Sequence, residues 1–469
     1  MEKKPVKFSK VLNTWDVLVT AFGAMIGWGW VVSSGEWIQT AGVAGTMIGF
    51  VIGGFMIYFV GLAYAELTSV MPQCGTYAFS RRAFGPTGAF ICTWAGILSY
   101  IGVVCFEACS LPTIMQYLIP GFLQGYLYTI AGFDVYATWL AVAVAFAVLI
   151  TLVNIRGVKT AAKFQTVLTV AIGAIGLILV VSSVFSGSTD NLSEQLFVGE
   201  GGNTVRGVIA VAAVAPFFLF GFDVIPQTAA EINVPLKKLG KLLILSIVLA
   251  VGFYAAVVFA VGLLLNSGEI SQSMNASGLV TADAMAKAFS SQAMAKVLII
   301  GGICGVITSW NSFLMGGSRT MYSMARSYML PHFFAELHPK FKTPHNALKM
   351  IGLLSAAAPF FGRAMLGWIA NTASFACCVT YCMVSLAFMV IRVREPDMEK
   401  PFRVRHFRLV GVLAVLLSGV MALLYVIPGS GSTFCLEEAA IALGWALLGV
   451  IFALSCRKKY GKKFGRSIE

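Results

Sequence analysis

Two apolar stretches that glycine and proline interrupt decide the fold of this chain. Residues 21–35 read AFGAMIGWGWVVSSG, and residues 215–226 read APFFLFGFDVIP. Proline removes a backbone donor from a helix, and glycine leaves the backbone free to unwind there. Each stretch lies inside an apolar block of about 20 residues, which is the length that crosses a membrane. The two stretches therefore predict broken membrane helices, or, as the alternative interpretation, kinked helices that pack closely.

The composition excludes a soluble protein. The chain has 469 residues, of which 58% are hydrophobic and 11% charged, whereas about 25% of residues are charged in soluble proteins. We expect an all-α polytopic membrane protein with 12 transmembrane helices, at 15–39, 45–70, 90–112, 135–153, 164–185, 206–230, 242–265, 296–324, 346–362, 366–391, 409–427 and 436–455. These spans form one membrane domain, 15–455, between an N-terminal tail, 1–14, and a basic C-terminal tail, 456–469.

Basic residues lie almost entirely in alternate joints between the spans. Of the 33 Lys and Arg residues, all but Arg206, Lys287, Lys296 and Arg363 fall in the joints on the side of the N-terminus. Because cytoplasmic joints carry such an excess, we expect a cell-membrane protein with both termini in the cytoplasm. The net charge of +13 then reflects topology and contact with anionic lipid headgroups, and nucleic acid is not an expected partner.

The two interrupted spans are the first and the sixth, so they are five spans apart. Interrupted segments at matching positions of two halves indicate an inverted repeat whose broken helices form a binding site. The sequence thus predicts a first repeat at 15–185, an inverted second repeat at 206–391, and two appended helices at 409–455.

An ordered set of short motifs resembles the amino acid permeases of the amino acid–polyamine–organocation superfamily. The motifs are GWG at 27–29, YAEL at 64–67 with Pro72, Gly75 and Tyr77, NIRG at 154–157, AKF at 162–164, GFD at 221–223 with Glu231, SRTMYSMAR at 318–326, Leu330-Pro331, Pro344, REP at 394–396 and PFR at 401–403. The resemblance implies a five-plus-five inverted repeat and amino acid or amine transport by alternating access.

A broken helix can hold a zwitterion without charged side chains. A half-helix that begins near Gly29 directs free N–H groups at a carboxylate, and half-helices that end near Ile26 and Phe220 direct carbonyls at an ammonium group. Glycine at 27 and 29 lets a ligand approach the backbone. The predicted substrate-binding residues of the two breaks are Ile26, Gly27, Trp28, Gly29, Phe217, Phe218, Phe220, Gly221 and Asp223.

Several of these side chains have two interpretations. Trp28 stands where the family has a small residue, and its ring faces either the pocket or the scaffold. The Phe residues of span 6 contact either lipid and core or the substrate, and the resemblance makes Phe217 the candidate gate. Asp223 either caps the restarting half-helix, binds an amine, or relays protons.

Two further acidic residues lie within the spans. Glu107 in span 3 is a candidate for a cationic group of the substrate, although it lies near the outer end, where water could reach it. Glu66, at the cytoplasmic end of span 2, is expected to form a structural ion pair with Arg81 or Arg82.

The resemblance also bears on the driving ion, and no other cofactor is expected. Proton-coupled relatives often carry a lysine in span 5, where this chain aligns Ile172. Sodium-dependent relatives use carbonyls of span 1 and two hydroxyls of span 8, which implies a Na⁺ set of Gly23, Ile26, Gly305, Thr308 and Ser309. Those hydroxyls could instead bond to their own helix backbone, so Na⁺, H⁺ and exchange remain alternatives.

The expected function is secondary active transport of a small molecule, an amino acid or a closely related amine. The alternatives are an exchanger of the same fold and a non-transporting nutrient sensor. An enzyme is not expected, because the histidines lie in two basic joints without a metal-ligand or nucleophile motif: His332, His338, His345 and His406.

Overall fold

The computed structural model describes residues 8, 10–73, 75–198, 203–428 and 433–466, so parts of both predicted tails lie outside the described residues. The first half contains α1 (Thr14–Met25), α2 (Gly29–Val32), α3 (Ser34–Val70), α4 (Gly75–Leu118), the hairpin β1 (Tyr126–Ile130) and β2 (Phe133–Tyr136), α5 (Ala137–Ile155), α6 (Val158–Ser186) and α7 (Thr189–Glu194). The second half contains α8 (Thr204–Phe218), α9 (Val224–Thr228), α10 (Leu236–Leu264), α11 (Ser267–Ala276), α12 (Val280–Phe289), α13 (Gln292–Arg326), α14 (His345–Ala357), α15 (Ala364–Arg394), α16 (Phe407–Leu424) and α17 (Leu436–Tyr460). Short 3₁₀ segments follow α9, α13, α14 and α17, at Ala229–Glu231, His332–Ala335, Ala358–Phe361 and Gly461–Lys463.

Helix length separates the predicted spans into two groups. Within the described part of the chain, nine helices are long and apolar enough to cross a membrane. The predicted spans 1, 6 and 9 correspond instead to the shorter helices α1 with α2, α8 with α9, and α14. Helices α3 and α4 begin earlier than predicted, at Ser34 and Gly75, because each continues through a kink, at Gly42 and Gly85 respectively.

Span 1 is interrupted between Met25 and Gly29. Asn13 starts α1 with a capping box, since its side chain accepts from the backbone N–H of Asp16 while the Asp16 carboxylate accepts from the N–H of Asn13. Helix α1 ends at Met25, and α2 begins four residues further on, at Gly29. Ser33 between α2 and α3 keeps helical backbone angles, so the second half of the span continues into α3.

Span 6 is interrupted between α8 and α9. Pro216 lies in the last turn of α8, and Gly221 in the gap has a φ of +128° that disfavours any residue with a side chain. The two gaps pack against each other: a Cβ on Gly221 would lie 2.7 Å from the Cβ of Ala24, and a Cβ on Gly29 would lie 2.3 Å from the Phe218 ring. Glycine at these positions therefore allows the broken helices to touch.

We expect Gly221→Ala to lower the free energy of unfolding by about 1–3 kcal/mol, because the added methyl group meets both the positive φ and the Ala24 backbone. Thermal unfolding of the purified protein in detergent measures the effect. The matched control is Gly252→Ala in α10, where nothing lies within 4 Å of the new Cβ. Equal shifts for the two variants would contradict the close packing of the breaks.

Glu66 forms the predicted structural ion pair, but its partner is Arg392 and not Arg81 or Arg82. Glu66 Oε1 accepts from Arg392 at 2.6 Å, and its Oε2 accepts from the backbone N–H of Val404. Arg82 pairs with Glu395, and Arg81 donates to the carbonyl of Gly465. The reason is that Glu66 faces the last turn of α15, which is distant in sequence, so the nearest basic residues in the chain point elsewhere.

Candidate functional site

A cavity lies between the two broken helices and is closed on its other sides by α4, α10, α13 and α15. Eight predicted site residues line this cavity: Gly27, Trp28, Gly29, Glu107, Phe217, Phe218, Phe220 and Ser309. Six do not line it: Gly23, Ile26, Gly221, Asp223, Gly305 and Thr308. Prediction from the sequence missed other lining residues, which include Val103, Phe106, Tyr254, Phe313, Ala370 and Ala373.

Glu107 is the single Asp, Glu, Lys, Arg or His among the described residues that line the pocket. Its side chain is only 3% exposed, and its Oε2 has no hydrogen-bond partner. Its Oε1 lies 3.0 Å from the position that a Cβ on Gly27 would take, and the Ser309 hydroxyl lies 3.9 Å from the same point. A buried carboxylate with a free oxygen at the edge of a helix break attracts a cationic or hydrogen-bond-donating group.

Tyr254 in α10 closes the pocket against the end of α1. Its hydroxyl donates to the carbonyl of Met25 at 3.1 Å, and so satisfies one of the carbonyls that a helix end leaves free. Its ring stacks on Phe50 at 5.0 Å between centroids. A tyrosine within an otherwise apolar span was the sequence signal that could have identified it.

Trp28 both lines the pocket and packs against the scaffold, so both interpretations of its position hold in part. Its side chain lines the pocket and is 8% exposed. The far edge of the same ring lies against Gly302 of α13, where a Cβ would stand 2.1 Å from Cζ3. The indole is therefore packed against the scaffold at Gly302, and the residue also lines the cavity.

The phenylalanines of span 6 form one cluster at the pocket. Phe217 makes edge-to-face contacts with Phe106 at 6.1 Å, with Phe218 at 5.2 Å and with Phe220 at 5.9 Å. Phe106 belongs to α4, so the cluster joins the break in span 6 to the helix that carries Glu107. One side of the pocket is therefore aromatic and apolar, and Glu107 is the acidic side chain among the described residues that line it.

Asp223 occupies the N-cap position of α9, but its side chain does not cap the helix, so the first of its three interpretations is wrong. Its carboxylate makes no capping hydrogen bond and instead accepts from the hydroxyls of Tyr100 at 2.7 Å and Tyr381 at 3.0 Å. Tyr100 lies on α4 and Tyr381 on α15, and both are buried. The usual capping targets are unavailable, because the N–H of Ile225 donates to the carbonyl of Phe222 and Pro226 has no N–H, so Asp223 instead connects the restarted half-helix to its neighbours.

Asp223→Asn is expected to lower the free energy of unfolding by about 1.5–3 kcal/mol, because it removes hydrogen bonds to a charged acceptor. Thermal unfolding and the KM of uptake are measured together. Tyr381→Phe, which removes one of the two donors, is the control and should have a smaller effect. A large rise in KM with unchanged thermal stability would show that Asp223 contacts substrate instead.

The residues predicted to bind Na⁺ lie around the first break, and three of them pack against or hydrogen-bond to other protein atoms. Gly305 packs on the carbonyls of Gly27 and Ile26, since a Cβ there would lie 2.5 and 2.8 Å from those oxygens. The Thr308 hydroxyl donates to the carbonyl of Gly305, which is the bond within its own helix. Gly23 faces Gln165 and Thr169 of α6 in addition to Thr308, and Ile172 is not among its nearest neighbours.

A chain of long apolar helices, with two interrupted helices around a pocket that contains a buried acidic side chain, has the architecture of a multi-pass membrane transporter. The family model described as amino acid permease matches residues 12–452, and the chain belongs to this family.

Three relatives show how close the similarity is. The chain is 27% identical to the methylthioribose transporter of Bacillus subtilis (strain 168), over 91% of this chain and 90% of the relative. It is 24% identical to the branched-chain amino acid permease BcaP of the same organism, over 96% and 94% of the two chains. It is 23% identical to the aspartate-proton symporter of that organism, over 88% and 78%.

Proposed function

We propose that this chain is a secondary active transporter that moves an amino acid or a closely related amine by alternating access. The observation that carries the proposal is the buried carboxylate of Glu107 in the pocket between the two broken helices. The paired interruptions, five predicted spans apart, support a five-plus-five inverted repeat with two appended helices. The excess of Lys and Arg in alternate joints supports both termini in the cytoplasm.

The substrate's ammonium group is proposed to bind Glu107. A charged donor would satisfy the Oε2 atom that has no partner and would offset the cost of burying the carboxylate. The helix that restarts at Gly29 would take the substrate's carboxylate on its free N–H groups. Because no Lys, Arg or His lines the described pocket, a second carboxylate on the substrate would meet no cationic partner.

The aromatic residues are proposed to select the rest of the substrate. Trp28 narrows the pocket from one side, and Phe217 is half-buried at the edge of the phenylalanine cluster, where it would act as a gate. Such a lining favours a small apolar or thioether side chain. The names of two relatives, which refer to branched-chain amino acids and to methylthioribose, agree with this preference.

We propose three alternative ways in which transport is driven: coupling to Na⁺, coupling to H⁺, and exchange. Na⁺ would bind near the first break, at Gly23, Ile26, Gly305, Thr308 and Ser309, as the contact of Gly305 with two break carbonyls supports. H⁺ would be carried by the Glu107 carboxylate. Exchange of one solute for another would need neither ion. A non-transporting sensor remains the alternative outside transport.

Transport in liposomes tests the proposal. The purified protein is reconstituted and offered labelled leucine, methionine, lysine, aspartate, a monoamine and methylthioribose, under an imposed Na⁺ gradient, an imposed H⁺ gradient, or preloading with unlabelled solute. We expect accumulation of a solute that carries an amine and little uptake of aspartate. Uptake of methylthioribose alone would contradict the amine site at Glu107, and uptake of none of the solutes would favour the sensor.

A further inference from the structure

The basic segment, residues 457–466, begins in the last turn of α17 and lies away from the pocket. It reads RKKYGKKFGR, so six of its ten residues are Lys or Arg and none is acidic. All six basic residues are exposed: Arg457, Lys458, Lys459, Lys462, Lys463 and Arg466. None of the six forms an ion pair with a residue in the described part of the chain. Such a cluster of uncompensated cations attracts a negatively charged partner.

Backbone groups of the basic segment are hydrogen-bonded to two other parts of the protein. The Tyr77 hydroxyl donates to the carbonyl of Arg466 at 3.1 Å, and Arg81 Nε donates to the carbonyl of Gly465 at 2.6 Å. The N–H of Gly465 in turn donates to the carbonyl of Ser327 at 2.8 Å. The segment therefore bridges the start of α4 and the joint that follows α13.

Aromatic rings of the basic segment contact the same two elements. Phe464 stacks on Phe90 of α4, with 6.3 Å between the ring centroids. The ring of Tyr460 lies 5.2 Å from that of Tyr328, and its hydroxyl accepts from the backbone N–H of His332 at 3.3 Å. The backbone and the rings thus dock the segment on the protein, while its basic residues stay exposed and can bind a second surface at the same time.

The lipid-facing side of α17 leads directly into the basic segment. Helix α17 is apolar and long enough to cross a membrane, and Leu447, Ile451 and Leu454 are exposed along one of its faces. Lys458 follows Leu454 by four residues, so it lies on the same face of the helix. A lysine at the end of a membrane helix extends its ammonium group to the lipid headgroups. The docked segment therefore begins at the level of the membrane surface.

A membrane surface of net negative charge is the partner that this segment fits. Each Lys or Arg near an anionic lipid surface contributes about 1 kcal/mol to binding, whereas zwitterionic headgroups have no net charge to offer. Docking holds the six cations together beside the membrane end of α17. Anionic lipid should therefore favour the docked segment over the released one.

We propose that residues 457–466 bind the headgroups of anionic phospholipids, and that this binding holds the segment docked between α4 and the end of α13. Glu107 on α4 and Ser309 on α13 both line the pocket. The docked segment therefore connects two of the helices that enclose it. The inference goes beyond the proposed transport function and does not depend on it.

Amide hydrogen exchange measures docking, because the N–H of Gly465 is bonded to Ser327. The purified full chain is placed in nanodiscs of phosphatidylcholine, of phosphatidylcholine with phosphatidylglycerol, or of phosphatidylcholine with inorganic phosphate in solution. We expect exchange in the peptide that contains Gly465 to be on the order of 10-fold slower with phosphatidylglycerol, and this effect to vanish at high salt. Equal exchange in the two lipid compositions would overturn the proposal. Equal slowing by inorganic phosphate would overturn the membrane surface as the partner.

A charge variant tests whether the basic segment is the site. It replaces three lysines of the segment by glutamine: Lys458→Gln, Lys459→Gln and Lys462→Gln. The matched control replaces three exposed lysines at the start of α10, on the same predicted side of the membrane: Lys237→Gln, Lys238→Gln and Lys241→Gln. We expect the charge variant to lose most of the phosphatidylglycerol effect and the control to keep it. Equal loss in both would assign the effect to the net charge of the protein and overturn the site.

Gly465→Ala tests whether docking is needed, since it leaves all six basic residues in place. Gly465 has a φ of +72°, and a Cβ there would lie 2.5 Å from the Cβ of Pro86 in α4. We expect this variant to exchange fast in both lipid compositions. Slow exchange with phosphatidylglycerol would mean that the membrane surface alone protects the segment, which would overturn the docking. Failure of uptake in liposomes would refute the proposed function and leave each of these outcomes unchanged.

Discussion

Glu107→Gln is expected to lower the uptake of an amine-bearing solute by roughly 10- to 100-fold at solute concentrations below the KM, because the loss of a charged acceptor from a buried hydrogen bond costs about 1.5–3 kcal/mol. The variant keeps the size of the side chain and removes only its charge. It also removes the single acidic or basic side chain from the described pocket lining. Initial rates of uptake in liposomes over a range of solute concentrations measure the effect.

The control for charge removal is Glu438→Gln at the start of α17. Glu438 is also buried, at 5% exposed, and accepts from the Asn371 side chain at 2.7 Å, but it does not line the pocket. We expect this variant to transport at nearly the wild-type rate. An unchanged rate for Glu107→Gln would place the ammonium group elsewhere, and retained exchange with loss of H⁺-driven accumulation would assign Glu107 to the proton.

Arg319→Ala is expected to destabilise the protein by roughly 3–5 kcal/mol, since it leaves Glu231 buried without its cationic partner. Arg319 Nε lies 2.7 Å from Glu231 Oε1, and the two side chains are 2% and 3% exposed. The backbone carbonyl of Glu231 also accepts from the N–H groups of Val11 and Leu12. The pair therefore holds together α13, the segment after α9 and the start of the chain, and its loss should be visible as a lower unfolding temperature and a lower yield.

Two further variants serve as controls for the Arg319→Ala prediction. Lys287→Ala breaks the ion pair with Glu269, whose side chains are 43% and 35% exposed, and should cost about 0–1 kcal/mol. Arg319→Met combined with Glu231→Met removes both buried charges and should recover much of the loss. If Arg319→Ala were no worse than Lys287→Ala, the ion pair would contribute little to stability.

The broken helices could be predicted from the sequence because their cause is local. The glycines of residues 21–35 and the Pro216–Gly221 segment weaken a helix wherever it lies, and α1, α2, α8 and α9 end and begin at these positions. Glu107 was identifiable for a similar reason, since a carboxylate in an apolar span is rare whatever its neighbours. Apolar length likewise predicts the long helices, although three predicted spans turned out to be shorter helices.

The partners of polar side chains could not be predicted from the sequence, because they lie on helices that are distant along the chain. One of the three interpretations of Asp223 made it a cap of its own half-helix, yet it bonds Tyr100 and Tyr381. Glu66 was assigned to nearby arginines, yet it bonds Arg392. A partner chosen from residues nearby in the sequence is wrong wherever the folded chain brings a residue of another helix closer.

By itself, the sequence determined where the helices break, that the chain belongs in a membrane, and which acid could carry charge at the site. The tertiary structure alone decided which face of each helix meets another. It set the Trp28 ring against Gly302 and the Gln165 amide beside Gly23. The physical reason is that a helix break is set by the residues of one segment, whereas the direction of a side chain depends on the space that several helices leave between them.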